Sequence, residues 1–202
     1  MKLTDNVELI DRTIANCYLV KYSSLKILID TGMKRSANII ISFFNNIGIK
    51  PDIVLITHTH SDHIGGLRDV YDEFHPEIYV PDKEINVVKG NEKVPMAKGF
   101  ASLLGSMMKP RPVENVLPLS SLKTEGITVV DTPGHTPGST SYLFPSIKAL
   151  FVGDSIQQVN GKFRFNSTFT MDKTKAESSI KKILDMHGLT AYPGHGKSFQ
   201  VP

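Results

Sequence analysis

Residues 58–63 read His58-Thr59-His60-Ser61-Asp62-His63, and they follow directly on the run Asp52-Ile53-Val54-Leu55-Ile56-Thr57. The run is almost continuously apolar, as a strand buried on both faces requires. A chain that leads such a strand straight into three histidines and an aspartate places those side chains at the end of a buried sheet. Three of the seven histidines of the chain fall within these six residues, so an ordinary solvated loop is the weaker reading. Neutral imidazole and carboxylate are the groups that zinc, manganese and iron(II) accept as ligands.

A catalytic ion needs three or four protein ligands and one open position. The six residues cannot easily wrap one ion. If they form an irregular loop, His58 and His60 face one ion and Asp62 and His63 a second, and each ion needs a further ligand from elsewhere. The same signature recurs at four other strand ends: Asp30-Thr31-Gly32, Asp131-Thr132-Pro133-Gly134-His135, Gly153-Asp154 and Pro193-Gly194-His195-Gly196. Loops at the carboxyl ends of strands are where layered α/β folds hold ligands. If the five ends share one edge, His135 and His195 are available to the two ions, and Asp154 can bridge them with its two oxygens. His75 and His187 sit outside this pattern and are assigned no role at the site.

The chain has 202 residues, which suits one domain over 1–202 with a core of its own. The single cysteine, Cys17, excludes an intrachain disulfide framework, a Cys-rich zinc module and a thiolate iron–sulfur cluster. Net charge is +3 with the basic residues spread along the chain, so a nucleic-acid partner is not expected. The N-terminus has no apolar segment of a signal peptide, and no stretch approaches the ~20 apolar residues of a membrane span. These features predict a cytoplasmic protein with a free thiol and no membrane partner.

Periodicity and turn residues predict strands over 7–12, 15–21, 25–30, 52–57, 77–80, 127–131, 140–144, 148–152 and 190–192. Helices are predicted over 34–46, 67–74, 82–89, 96–108 and 174–186. The amphipathic stretch 96–108 fits either a lid over the site or core packing, and apolar residues at helical spacing favour core. Phe163, Phe165 and Phe169 alternate with polar residues, which suggests a hairpin beside the site. Strands and helices alternate, yet several strands also cluster like hairpins, which argues for a layered α/β or α+β fold.

The six-residue loop matches the signature of the metallo-β-lactamase superfamily. The remaining positions follow in order, with Asp30 in Asp-Thr-Gly, then His135, Asp154 after Gly153, and His195 in Gly-His-Gly. The resemblance runs from Asp30 to His195 and is similar overall to the glyoxalase II-like branch. It implies a four-layer αββα sandwich of two mixed sheets with a metal site at one edge. His58, His60 and His135 would hold a first divalent ion, Asp62, His63 and His195 a second, and Asp154 would bridge them. Asp30 would support the ligands from behind. Zinc is the ion expected first, with iron and manganese as alternatives. A hydroxide shared by two such ions would attack a small-molecule substrate, an ester, thioester, lactone or phosphodiester, with Asp62 and Asp154 as the catalytic carboxylates.

The chain also departs from several branches. The best-known zinc β-lactamases carry a cysteine near the position of Asp154, so the expectation moves away from lactam hydrolysis. Diiron flavoproteins carry a glutamate where this chain has His60. Glyoxalase II enzymes add a C-terminal helical domain for glutathione, which is not expected in a chain that stops soon after His195. Two alternatives stand beside the hydrolase: a mononuclear iron enzyme like the persulfide dioxygenases, and a noncatalytic metal-binding protein.

Overall fold

The computed structural model describes residues 1–98 and 109–202. Two mixed sheets face each other. In the first, β1 (Val7–Ile10), β2 (Cys17–Tyr22) and β3 (Leu25–Ile29) form an antiparallel meander, and β4 (Ile53–Leu55), β5 (Glu77–Val80) and β6 (Leu117–Pro118) extend it in parallel. The second orders its strands β13 (Phe199–Gln200), β12 (Thr190–Pro193), β9 (Ala149–Gly153), β8 (Thr140–Phe144) and β7 (Thr128–Asp131). Only the β12–β9 pair of that sheet is parallel. A separate hairpin, β10 (Gln157–Val159) with β11 (Lys162–Arg164), takes in Phe163 of the three alternating phenylalanines, while Phe165 and Phe169 follow it outside the strands.

Side chains of successive strand residues point to opposite faces, and this alternation builds three apolar layers. Leu19, Leu28, Val54 and Ile78 face outward from the first sheet and pack with Ile40 and Phe44 of α1 (Ala37–Asn46) and Leu67 and Val70 of α3 (Leu67–Phe74). Their neighbours Val20, Ile27, Ile53 and Tyr79 face inward and meet Tyr142, Phe144, Phe151 and Tyr192 of the second sheet. Leu150, Val152 and Ala191 turn the other way and pack with Ile183 of α5 (Lys173–Leu184). The result is the helix–sheet–sheet–helix order that the family resemblance implies. The central strands β4 and β9 are buried along their whole length, which is why they read as near-continuous apolar runs.

Several predicted boundaries shift. The strand predicted over 52–57 keeps ladder geometry only from Ile53 to Leu55, because Thr57 N–H leaves the sheet and donates to the Asp30 carboxylate at 2.8 Å. The strand over 25–30 ends at Ile29, since Asp30 adopts the left-handed conformation (φ 57°). The helices over 34–46 and 82–89 each begin with a 3₁₀ turn, Lys34–Ser36 and Asp82–Glu84; the second continues as α4 (Ile85–Val88). Residues 61–64, expected as irregular loop, form a helical turn, α2 (Ser61–Ile64), closed by Ile64 N–H onto His60 C=O at 3.1 Å. Of the stretch 96–108, residues 99–108 lie outside the described residues, and with them the choice between lid and core. Among the described residues no helix is long and apolar enough to cross a membrane.

Candidate metal centre

Five strand ends deliver the predicted side chains to one edge of the two sheets. From the first sheet come Asp30 after β3, and His58, His60, Asp62 and His63 after β4. The second sheet contributes His135 after β7, Asp154 after β9 and His195 after β12. His58, His60 and His135 present donor atoms within 4.8 Å of one another, as do His58, His63 and Asp154, and likewise Asp62, His63 and His195. The α2 turn makes the third grouping possible. It carries His63 inward to full burial and leaves Asp62 32% exposed, beside His195 of the β12 loop at 36%.

The hydrogen bonds on the outer side of each ring decide which nitrogen faces in. Asp30 is buried, and its carboxylate accepts Thr57 N–H at 2.8 Å and the Thr57 hydroxyl at 2.7 Å. It also accepts the His63 Nδ1–H at 2.7 Å, which turns His63 Nε2 toward the other inward donors. Because the Thr57 hydroxyl donates to Asp30, it accepts from His58 Nδ1–H at 3.1 Å, and His58 Nε2 is free in turn. Thr170 behaves alike: it donates to Asn166 C=O at 2.8 Å and faces His135 Nδ1 at 3.4 Å. His60 Nε2–H donates to Pro95 C=O at 2.8 Å and turns Nδ1 inward. Each of these rings is held from behind with its basic nitrogen aimed at its neighbours, the arrangement that orients imidazole for a metal.

This cluster fits a divalent cation. His58 Nε2, His63 Nε2 and Asp154 Oδ1 are buried and make no hydrogen bond among the described residues. Buried polar atoms without partners are rare and costly. His60 Nδ1 and His135 Nε2 face each other at 2.8 Å, and two lone pairs at that distance repel unless a proton or cation lies between them. Donors around a tetrahedral ion bonded at about 2.0–2.1 Å stand about 3.3 Å apart, and the Asp154 oxygens lie 3.4 Å from both His63 Nε2 and His135 Nε2.

Burial pushes His58 and His60 below the ordinary imidazole range and His135 down to about 3, so all three favour the neutral, ligating form. For His63 burial works in the same direction, but Asp154, Asp30 and Asp62 outweigh it and hold the ring well above its usual value. Burial opposes the charge of Asp62, yet His63 and His195 bring it down to about 2. His63, with His135 and His195, likewise overcomes burial at Asp154 and keeps it well below the carboxylate range. The two inward carboxylates are therefore anionic at neutral pH.

A cavity of about 320 Å³ opens over these side chains. Ile14, Met33, Met96 and Phe169 form its apolar wall, and Asn166 adds an amide. Sequence reasoning missed Glu84, a buried carboxylate in the turn after β5. It accepts the Thr59 N–H at 2.8 Å, the Thr59 hydroxyl at 2.6 Å and the Gly138 N–H at 2.7 Å. A signal was present, because Glu84 precedes Val87 and Val88 by three and four residues and so shares their buried face. Thr57 and Thr170 were missed as well, and nothing in their spacing marks them.

Two facing sheets between helical layers, with an imidazole–carboxylate cluster at one edge, define a metallohydrolase architecture. The profile of the metallo-beta-lactamase superfamily matches residues 10–195, and the chain belongs to that superfamily. A probable metallo-hydrolase of Methanocaldococcus jannaschii is 29% identical over 190 residues, covering 91% of this chain and 88% of the relative. The BLEG-1 B3 metallo-beta-lactamase superposes with a TM-score of 0.74 at 28% identity, over 96% of this chain and 94% of that one. TTHA1623, crystallised in a di-iron-bound form, gives a TM-score of 0.75 at 24% identity over the same shares.

Proposed function

We propose that this protein is a hydrolase of the glyoxalase II-like branch that works with two divalent ions, zinc foremost, on a small-molecule ester, thioester, lactone or phosphodiester. His58, His60 and His135 would hold the first ion, Asp62, His63 and His195 the second, and Asp154 lies within reach of both groups. The observation that carries this reading is the set of buried atoms that make no hydrogen bond among the described residues and face one another, His58 Nε2, His63 Nε2 and Asp154 Oδ1, the last two 3.4 Å apart. Such ions act as Lewis acids on a carbonyl or phosphoryl oxygen and lower the pKa of bound water toward neutrality.

The chain's own residues divide the remaining work. Asp62 is partly exposed and anionic, and its Oδ2 lies 3.1 Å from His195 Nε2. As an anion it would accept a hydrogen bond from the attacking water and so orient it. The wall of Ile14, Met33, Met96 and Phe169 takes the apolar part of the substrate and excludes water from the cleaved bond. Loops of both sheets supply the site, so residues 1–202 work as one unit.

Elemental analysis of protein purified without added metal should find two divalent ions per chain. A chromogenic panel of esters, thioesters, lactones and phosphodiesters should then give zinc-dependent turnover. A cephalosporin belongs in the panel, because a B3 metallo-beta-lactamase shares the fold. His60→Ala should lower kcat/KM by at least about 100-fold. Protein that holds no divalent ion and stays inert with added zinc, manganese or iron would sink the reading. A single iron per chain would overturn the two-ion assignment.

A further inference from the structure

Glu84 is 1% exposed, yet its carboxylate forms no ion pair among the described residues. A buried carboxylate is retained only where hydrogen bonds replace its water. Three donors do so, and they belong to two different loops. Oε2 takes the Thr59 N–H and the Thr59 hydroxyl, so it grips the residue between His58 and His60. Oε1 takes the N–H of Gly138, three residues beyond His135. A Cβ on Gly138 would stand 2.7 Å from Glu84 Cγ, so the carboxylate rests on bare backbone. A carboxylate only accepts hydrogen bonds, whereas a glutamine would turn an N–H toward at least one of these donors. An apolar side chain would pack here at less cost but would hold neither loop.

We propose that Glu84 is a positioning residue. By clamping the loop of the first sheet to the loop of the second, it sets the spacing between the His58–His60 pair and His135, and with it the affinity of the first ion. It touches neither substrate nor ion. The inference rests on the metal site assigned under Proposed function.

The test is zinc(II) affinity, read by competition with a chromophoric chelator on chelator-stripped full-length protein. Circular dichroism and the metal-free Tm report folding separately. Glu84→Gln should fold and should bind one of its two zinc ions about 10–100-fold more weakly, the range seen when groups behind metal ligands are lost. Thr59→Val removes one donor and leaves Glu84 in place; it should weaken the same ion several-fold, and Thr59→Ser should restore it. A folded Glu84→Gln with zinc affinity within two-fold of wild type overturns the proposal. If Glu84→Gln does not fold, the Thr59 pair decides, and a Thr59→Val protein that binds zinc like wild type overturns it. Wild-type protein that binds no zinc removes the metal site itself, and the clamp with it, a result distinct from a wild type and a variant that bind equally well.

Discussion

Gly194 sits where a side chain has no room: a Cβ there would fall 2.6 Å from His63 Cε1 and closer still to Asp154 Oδ1. Gly194→Ala should push both groups off position and weaken zinc binding by about 10-fold or more, measured by chelator competition. An alanine variant with unchanged affinity would show that the two ligands yield without cost. Cys17 makes the opposite point, since its value lies in being shut away. Burial raises its thiol well above 9.0, with the Asp30 charge adding to the effect. Folded protein at pH 8 should leave a thiol reagent such as DTNB unreacted, and guanidinium should release one thiol per chain. A folded-state pKa above the unfolded one also has a fixed sign. Cys17 contributes stability that is complete below pH 9.0 and is lost as the pH rises, because the unfolded chain then gives up a proton that the fold retains. Urea midpoints for wild type and Cys17→Ser should converge as the pH rises through that range. At this scale the candidate site was legible because its side chains fall in the short loops after apolar strands, beside glycine or other turn residues. The residues behind it were not, because Thr57, Thr170 and Glu84 act through hydrogen bonds to chain that is distant in sequence.

Elements were legible where their own hydrogen bonds define them. The helix at Leu67–Phe74 and the strands at Glu77–Val80 and Thr140–Phe144 have the predicted bounds, since periodicity and punctuation coincide there. Boundaries shift where the backbone changes partners near the site, as at Thr57 and Asp30, because ladder bonds give way to side-chain bonds that no local pattern encodes. α2, four residues long, is too short to show a helical period. α1 shows how much an element depends on one buried ring. Phe44 is fully buried and lies edge-on to Phe43 and Phe74, at 5.5 and 5.7 Å between ring centroids. Phe44→Ala should destabilise the metal-free fold by about 3–5 kcal/mol in urea denaturation and leave zinc stoichiometry unchanged. A loss below about 1 kcal/mol would mean that α1 repacks without the ring.

Across the whole molecule, the two sheets meet through an apolar layer that needs no ion, yet each ion proposed here takes ligands from both sheets. His58 and His60 belong to the first sheet and His135 to the second; Asp62 and His63 belong to the first and His195 to the second. Metal binding is therefore linked to the docking of one sheet on the other. A ligand that binds only the folded state stabilises it by about 4.1 kcal/mol at a free concentration 1,000 times its Kd. In a chain of 202 residues each kcal/mol moves Tm by about 2–4 °C. Zinc at that excess should raise Tm by roughly 8–16 °C over chelator-stripped protein, and Tm should climb steadily with the logarithm of free zinc. Hydrogen exchange should place the added protection at the carboxyl ends of β4, β9 and β12 together, because one ion fastens both sheets. Protection confined to the first sheet would mean that His135, Asp154 and His195 do not share the ions. A Tm indifferent to zinc would mean that the fold closes this edge without metal.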